Sequence, residues 1–245
     1  MSNWVLLRGL MREKRHWGDF VGLLQLQFPH DRILTIDGLG NGEWHQRRSP
    51  HRIIDMVTHL QTELKQCQAN APYHLVALSL GAMVAIEWAK LAPQQIASAT
   101  LINTSLRPYN PFYQRLRPRN YPALFQLMNS TPEEQERLIL KFTSNQPAKA
   151  TLMRWIEYQQ QYPISRANIL RQLWAAATYR APPVAPPIRL QFLSSEQDQL
   201  VNNQCSHTLA RAWHQPHAVH PSAGHDLTLD APEWVIQQLF NFINQ

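Results

Sequence analysis

The chain has 245 residues, of which 44% are hydrophobic and 16% carry charge, as is typical of a globular protein. It contains no run of about 18 uncharged apolar residues, so the sequence predicts no membrane span. Cys67 and Cys205 are too few for a disulfide framework or a cysteine zinc site, which favours a reducing, cytoplasmic setting. The formal net charge is +6, but no recognised motif accompanies it, and we predict no nucleic-acid binding.

Strand-like apolar runs alternate with helical patterns along most of the chain. The strand candidates are residues 4–7, 33–36, 73–78, 99–102, 188–193 and 218–220. The helix candidates are residues 15–27, a segment that opens at Ser49 with a proline behind it, residues 80–91 and residues 234–243. This alternation predicts an α/β fold with a mostly parallel central sheet and helices on both faces.

Residues 105–185 differ in composition from the rest of the chain. They hold eleven basic and only four acidic side chains, whereas the remainder holds twelve basic and thirteen acidic ones. The segment is also rich in prolines and aromatic residues, and a proline-rich stretch at 181–187 resembles a stiff connector. We therefore predict a core formed by residues 1–104 and 186–245, interrupted by a helical insertion at 105–185.

Ser79 stands between a strand candidate and a helix candidate, with small residues two positions before it and two after. A serine on such a tight strand-to-helix turn is typical of the nucleophile elbow of serine hydrolases. The N-terminus of the following helix favours negative charge that develops beside the serine. The pentapeptide alone also permits a simpler interpretation, a serine that caps the helix.

A serine hydroxyl needs a base and the base needs an orienting carboxylate, and both follow in the order Ser, Asp, His. Asp198 comes after the strand candidate at 188–193, and His225 comes after the one at 218–220. Glu196 and Asp226 compete with Asp198 for the role of the acid. The sequence thus offers Ser79, Asp198 and His225 as a catalytic triad.

For two other polar patterns, the sequence predicts no catalytic, nucleotide-binding or metal-binding role. Asp37 is followed by glycines at 38, 40 and 42, which lack the lysine of a P-loop and the spacing of a dinucleotide fingerprint, so a turn is predicted there. Histidines recur at 214, 217 and 220, but no cysteine or carboxylate completes a metal-binding set. The sequence predicts no metal site.

With these motifs in place, the chain resembles the serine hydrolases of the α/β-hydrolase superfamily. It is similar to the compact, lidded type that includes carboxylesterases and the pimeloyl-carrier-protein methyl ester esterase. The matching landmarks are residues 6–10, 37–42, the elbow at 77–81, the Asp198 loop, and 224–225 with 230–233 behind them. Three residues depart from the family pattern, namely Arg8 in place of histidine and Ala77 and Ser195 in place of glycine.

The resemblance implies a role for each site residue. Ser79 attacks the carbonyl, His225 transfers the proton, and Asp198 orients the imidazolium. The backbone N–H groups of Leu10 and Leu80 form the oxyanion hole. No metal or organic cofactor is implied.

The resemblance places a helical lid at residues 105–185, where it shapes the substrate pocket. Arg8 and three aromatic residues of the insertion, Phe112, Tyr113 and Trp155, are candidate substrate-binding residues, although the aromatics also suit simple packing. The excess of arginines suits a solvated helix face. The sharper hypothesis is that Arg115, Arg117, Arg119 and their neighbours attract an acidic acyl carrier protein, since the related methyl ester esterase recognises one through its lid.

The sequence therefore predicts a serine hydrolase that cleaves a small-molecule carboxylic ester through an acyl-enzyme. Thioester cleavage, carbon–carbon bond hydrolysis, peptide release and lyase chemistry on the same triad remain alternatives, because fold and triad do not separate them. A non-catalytic hydrolase-fold protein that binds a ligand or partner is a further alternative.

Overall fold

Six parallel strands form one sheet, as the alternating sequence pattern predicts. The computed structural model describes residues 2–244, and its strands lie in the spatial order β2-β1-β3-β4-β5-β6. They are β1 (Asn3–Leu7), β2 (Arg32–Thr35), β3 (Tyr73–Leu78), β4 (Ile96–Ile102), β5 (Arg189–Ser195) and β6 (His217–His220). The chain first moves outward from β1 to β2 and then returns past β1 to build the other side of the sheet. In such sheets the crevice beyond the carboxyl ends of the strands is where ligands bind.

Helices cover the sheet and fill the connection between β4 and β5. They are α1 (Phe20–Gln27), α2 (Ile53–Gln66), α3 (Leu80–Leu91), α4 (Phe112–Arg115), α5 (Tyr121–Leu127), α6 (Pro132–Thr143), α7 (Lys149–Gln161), α8 (Arg166–Thr178), α9 (Gln204–Ala212), α10 (Leu227–Asp230) and α11 (Pro232–Ile243). Within residues 2–244, no helix is both long and apolar enough to cross a membrane.

The strands bury side chains on both faces, so two separate hydrophobic clusters form. On β1, Val5 and Leu7 enter the cluster that contains α2, α3 and α9, whereas Trp4 and Leu6 enter the cluster that contains α1 and α11. Alternate residues of a strand point to opposite faces, and here both faces are apolar, as expected for a parallel sheet covered on both sides. The predicted fold class is confirmed.

Two local expectations differ from the structure. The predicted helix 15–27 is divided at Gly18, whose φ of +53° favours glycine and separates a short 3₁₀ turn from α1. The second expectation placed a helix start at Ser49, but α2 begins at Ile53. Ser49 is buried instead, where its hydroxyl donates to the Leu39 carbonyl at 2.7 Å and its N–H donates to Asn168 of α8 at 2.9 Å.

Five helices, α4 to α8, lie between β4 and β5, and we call residues 105–185 the helical segment. Its entrance and exit are adjacent, because Arg107 and Arg180 form a parallel β-bridge and the Ala181 N–H donates to the Arg107 carbonyl at 2.7 Å. A third apolar cluster joins this segment to the loop after β1. It contains Met11, Leu127, Ile164 and Ile169.

Candidate active site

Ser79 occupies a strained turn between β3 and α3. Its φ of 56° and ψ of −114° lie in a region that residues other than glycine rarely adopt. Its N–H donates to the Ile102 carbonyl at the end of β4, and its own carbonyl accepts from the Ala82 N–H. These hydrogen bonds to the surrounding backbone hold Ser79 in its strained conformation.

The small residues around Ser79 are required by contact. A Cβ atom at Gly81 would overlap the Leu7 carbonyl group and lie 2.8 Å from the Arg8 carbonyl oxygen. Ala77 has no exposed surface, and a Cβ at Gly9 would lie 3.3 Å from the Cβ of Ser79. The loop after β1 thus packs directly against the turn that carries the serine, which is the geometry of a nucleophile elbow.

Asp198 and His225 meet beyond the ends of β5 and β6. The carboxylate Oδ2 of Asp198 lies 2.7 Å from His225 Nδ1, and both side chains are buried. The other oxygen, Oδ1, accepts from the N–H groups of Leu200 and Val201 at 2.7 and 2.9 Å. These bonds orient the carboxylate, which in turn holds the imidazole so that Nδ1 faces the acid and Nε2 faces away from it.

The two acids that competed with Asp198 in the sequence take other positions. Glu196 is exposed to solvent. Asp226 is buried and pairs with Arg8 through contacts of 2.5 and 3.2 Å, and it also accepts from the Thr228 hydroxyl at 2.9 Å. Burial opposes its charge, but the Arg8 guanidinium and these hydrogen bonds prevail and hold the pKa of Asp226 below its ordinary value. Asp226 therefore acts as the partner of Arg8.

Asn103 joins the acid loop to the histidine loop, a role that the sequence analysis missed. It follows β4 with a φ of +47°, and its Oδ1 accepts from the Ser195 N–H at 2.9 Å. Its Nδ2 donates to the His225 carbonyl at 2.7 Å. Asparagine tolerates this left-handed conformation. An asparagine directly after a central strand was therefore the sequence signal that could have indicated this role.

The predicted oxyanion donors are backbone groups beside Ser79. Leu80 is the first residue of α3, and the first N–H groups of a helix have no intrahelical acceptor. Leu10 lies in the loop after β1, next to Met11, whose φ is +60°. The Met11 N–H donates to Oε1 of Gln172 on α8 at 3.0 Å, so the helical segment fixes the loop that carries the Leu10 N–H.

The comparisons with known proteins bear on the family and the fold of the chain. A model of the alpha/beta hydrolase family matches residues 4–238. The chain belongs to the α/β hydrolase family. The superfamily assignment is thereby confirmed, while the narrower likeness to the methyl ester esterase stays a prediction. A search of curated proteins returned no match.

Solved structures share the fold of this hydrolase at low sequence identity. An enol-lactonase from Burkholderia xenovorans LB400 superposes with a TM-score of 0.81 at 15% identity, covering 100% of this chain and 92% of the other. An esterase from Thermogutta terrifontis gives 0.76 at 18% identity, covering 100% and 90%. An esterase from Exiguobacterium antarcticum gives 0.77 at 12% identity, covering 100% and 92%. At these identities the likeness shows the fold alone.

Two cavities of the hydrolase meet at Ser79. The narrow cavity, of about 100 Å³, lies against α5 and α6 and is lined by Ser79 and His225 together with mainly apolar side chains. The wide cavity, of about 620 Å³, extends toward α4 and the end of α8. Both are bounded by Leu10, Leu116 and Leu200. A substrate bound at Ser79 would thus have a small compartment on one side and a large one on the other.

A buried ion pair that the sequence analysis did not find lies beside the narrow cavity, which Arg12 lines. Arg12 and Glu136 of α6 form two hydrogen bonds, at 2.6 and 2.9 Å, and both side chains are almost fully buried. Burial raises the pKa of Glu136, and the charge of Arg12 offsets part of that rise. The pair fastens the loop after β1 to the helical segment.

The four predicted substrate-binding residues occupy different surroundings. Arg8 lines both the narrow cavity and a neighbouring one, and its guanidinium is held by Asp226. Phe112 is 71% exposed and lines the wide cavity. Tyr113 borders a shallow surface depression, and Trp155 is buried under the guanidinium of Arg12. Packing accounts for the position of Trp155.

The three arginines predicted to attract a carrier protein lie in two different places. Arg115 turns into the wide cavity, where it donates to the Ala176 carbonyl at 2.5 Å. Arg117 and Arg119 border the surface depression next to it, and Arg119 donates to Gln199. A charged protein surface and a charged cavity wall are therefore separate features of this segment.

Proposed function

We propose that this chain is a serine hydrolase that cleaves a carboxylic ester through an acyl-enzyme. The observation that carries the proposal is the strained Ser79 turn opening into the same cavity as His225, with Asp198 bonded to the far side of the imidazole. A nucleophile, a base and an orienting acid in these positions match the requirements of acyl transfer.

In the proposed reaction, the Oγ atom of Ser79 attacks the ester carbonyl carbon while His225 Nε2 accepts its proton. The N–H groups of Leu10 and Leu80 stabilise the oxyanion of the tetrahedral intermediate. Collapse of the intermediate breaks the bond to the alcohol oxygen, which takes the proton from His225. A water molecule, deprotonated by His225, then attacks the acyl-enzyme, releasing the acid and restoring Ser79. Asp198 stabilises the imidazolium in both halves.

We further propose that the helical segment acts as a lid. It supplies about half of the residues that line the narrow cavity and most of those that line the wide cavity, and excluding water strengthens the electrostatic stabilisation of the oxyanion. The narrow cavity would accept a short apolar group and the wide cavity the larger portion of the ester. Arg117 and Arg119 would form an outer docking surface for an acidic carrier protein. The cytoplasmic location stays a prediction from the two free cysteines, Cys67 and Cys205.

The first experiment is labelling with a fluorophosphonate, which reacts with an activated serine. Wild type should label, Ser79→Ala should not, and Ser105→Ala should label like wild type, because Ser105 lines the wide cavity away from the elbow. The rate of hydrolysis of p-nitrophenyl esters from acetate to decanoate then shows which acyl chain length the compartment accepts best. Labelling that survives in Ser79→Ala would contradict the proposal, and a folded wild type without labelling or hydrolysis would favour a binding protein.

A further inference from the structure

The wide cavity has one apolar side and one positively charged side. Met83, Leu173 and Phe112 contribute to its apolar wall. Three arginines of the helical segment also line it, and no acidic residue in the described part of the chain does. They are Arg107, Arg115 and Arg180.

Two of these guanidinium groups are held close together. Arg107 and Arg115 each place an NH1 group 3.4 Å from the Ala177 carbonyl oxygen, and Arg115 also donates to the Ala176 carbonyl. These carbonyls belong to the last turn of α8, whose negative dipole end attracts cations. Burial and then the charge of Arg107 lower the pKa of Arg115, as expected for neighbouring like charges.

The charge of this group is not neutralised by the protein. Within residues 2–244, no carboxylate forms an ion pair with Arg107, Arg115 or Arg180, and the Nε atom of Arg115 is buried without a hydrogen-bond partner. The arginines of the narrow cavity differ, because Arg8 and Arg12 each have their own acid. The half-dipole of a helix end is smaller than two full charges, so a bound anion would stabilise this wall.

We propose that the arginine wall, defined as Arg107, Arg115 and Arg180, binds a carboxylate or phosphate group of the substrate. That group would stand at the far end of an apolar portion occupying the wide cavity, with the scissile ester at Ser79. The inference rests on the proposed function, since it places the anion relative to the reacting serine. The planar guanidinium fork matches both oxyanions, and a cavity of about 620 Å³ is of ligand size.

The test compares esters that differ only in charge. Phenyl acetate with a para-carboxylate is paired with its para-carboxamide, which places the charge on the alcohol side. Monophenyl suberate is paired with its terminal amide, which places the charge on the acyl side. A para-phosphonate separates the two anions. We expect kcat/KM to favour the charged member of at least one pair by about tenfold or more, and added salt to reduce that preference.

Substitutions in the arginine wall test whether it causes the preference for the charged ester. Arg107→Gln/Arg115→Gln should bring the ratio of charged to neutral ester near one, because it should lower kcat/KM for the charged ester more than for the neutral ester. Since Arg115 binds the end of α8 and its loss can weaken folding, the exposed Arg180→Gln is a second variant, expected to lower the ratio partially. Arg166→Gln removes an exposed arginine from the start of α8, outside the cavity, and should leave the ratio unchanged.

Failure of this inference is distinguishable from failure of the proposed function. Equal rates on both members of every pair, or a preference unaffected by the wall variants, would overturn the arginine wall while ester hydrolysis stands. If fast turnover required an ester on an acidic carrier protein, and the wall variants abolished that requirement, the wall would serve docking and the inference would also fall. If no ester is cleaved, calorimetry decides, because octanoate should bind Ser79→Ala more tightly than octanamide does, and only while the wall is intact.

Discussion

The sheet edge and the helical segment contribute to the site in different ways. Ser79, Asp198 and His225 follow β3, β5 and β6, so parallel strands bring them together by topology alone. The helical segment contributes through pairs of distant residues, such as Arg12 with Glu136, and through its cavity walls. In the proposed reaction, the edge therefore provides the reacting groups, whereas the segment provides much of the wall around the substrate.

The largest expected effect on activity comes from a substitution at the sheet edge. Asp198→Asn should lower kcat by about 10⁴, because the amide no longer selects the imidazole tautomer or stabilises the imidazolium. Glu196→Gln is the matched control, since Glu196 lies in the same loop but is exposed, and it should retain full activity. Steady-state kinetics on a p-nitrophenyl ester with circular dichroism as a folding check would measure both. Activity retained in Asp198→Asn would mean that another acid orients His225.

Asp37, a second acid at the same edge of the sheet, differs from Asp198. It also follows a strand, but its contacts are with backbone groups of neighbouring loops. Asp37 comes after β2 and accepts from the N–H groups of Lys14 and Glu43 at 2.6 and 3.1 Å. Burial raises its pKa to about 6, although these hydrogen bonds and the charge of Lys14 work against the rise. Gly42 leaves space for this carboxyl group, because a Cβ there would overlap it.

The raised pKa of Asp37 predicts a pH-dependent stability. Its folded pKa lies above the ordinary value of 3.8, so its contribution is fully present below pH 3.8 and is lost as pH rises through about 6. The loss is on the order of 3 kcal/mol in the free energy of unfolding. Asp37→Asn cannot ionise, so its stability relative to wild type should rise by roughly that amount between pH 4 and pH 7.

Urea denaturation at pH 4, 5, 6 and 7 measures this difference. Asp55→Asn provides the control, since Asp55 is exposed on α2, and a pH dependence shared by both variants would not come from burial of Asp37. A constant offset for Asp37→Asn would show that the Asp37 carboxyl ionises as easily in the folded chain as in the unfolded one.

The acids at the sheet edge also show which features of the site can be predicted from the sequence. The sheet and the residues at its edge were predictable, because a strand end, a glycine context and the chain order are local signals. The sequence also offered Asp198 as the acid, but it did not predict the ion pair that occupies the competing Asp226, since that pair forms with Arg8, which lies 218 positions away from Asp226. The bond between Arg12 and Glu136 spans 124 positions, and only packing of the helical segment onto the core brings the two together.

The smallest expected effect tests whether the helical segment reaches the chemistry. Gln172 of α8 is buried, accepts from the Met11 N–H, and donates to Asn41 and Ser49 at 3.2 and 3.0 Å. Without it, the loop at Leu10 loses a fixed hydrogen bond next to the proposed oxyanion donor. Gln172→Ala should lower kcat by about tenfold with little change in KM, less than the 10²–10³ that loss of a whole oxyanion donor costs.

Gln159 provides the matched control for this substitution. It is also a buried glutamine of the helical segment, but on α7, where its side chain donates to Gln135 of α6 and not to the loop after β1. Gln159→Ala should lower stability without changing kcat. Should both variants lower kcat equally, the effect would come from general loosening of the helical segment. A loss confined to Gln172→Ala would mean that the segment positions the Leu10 N–H as well as enclosing the substrate.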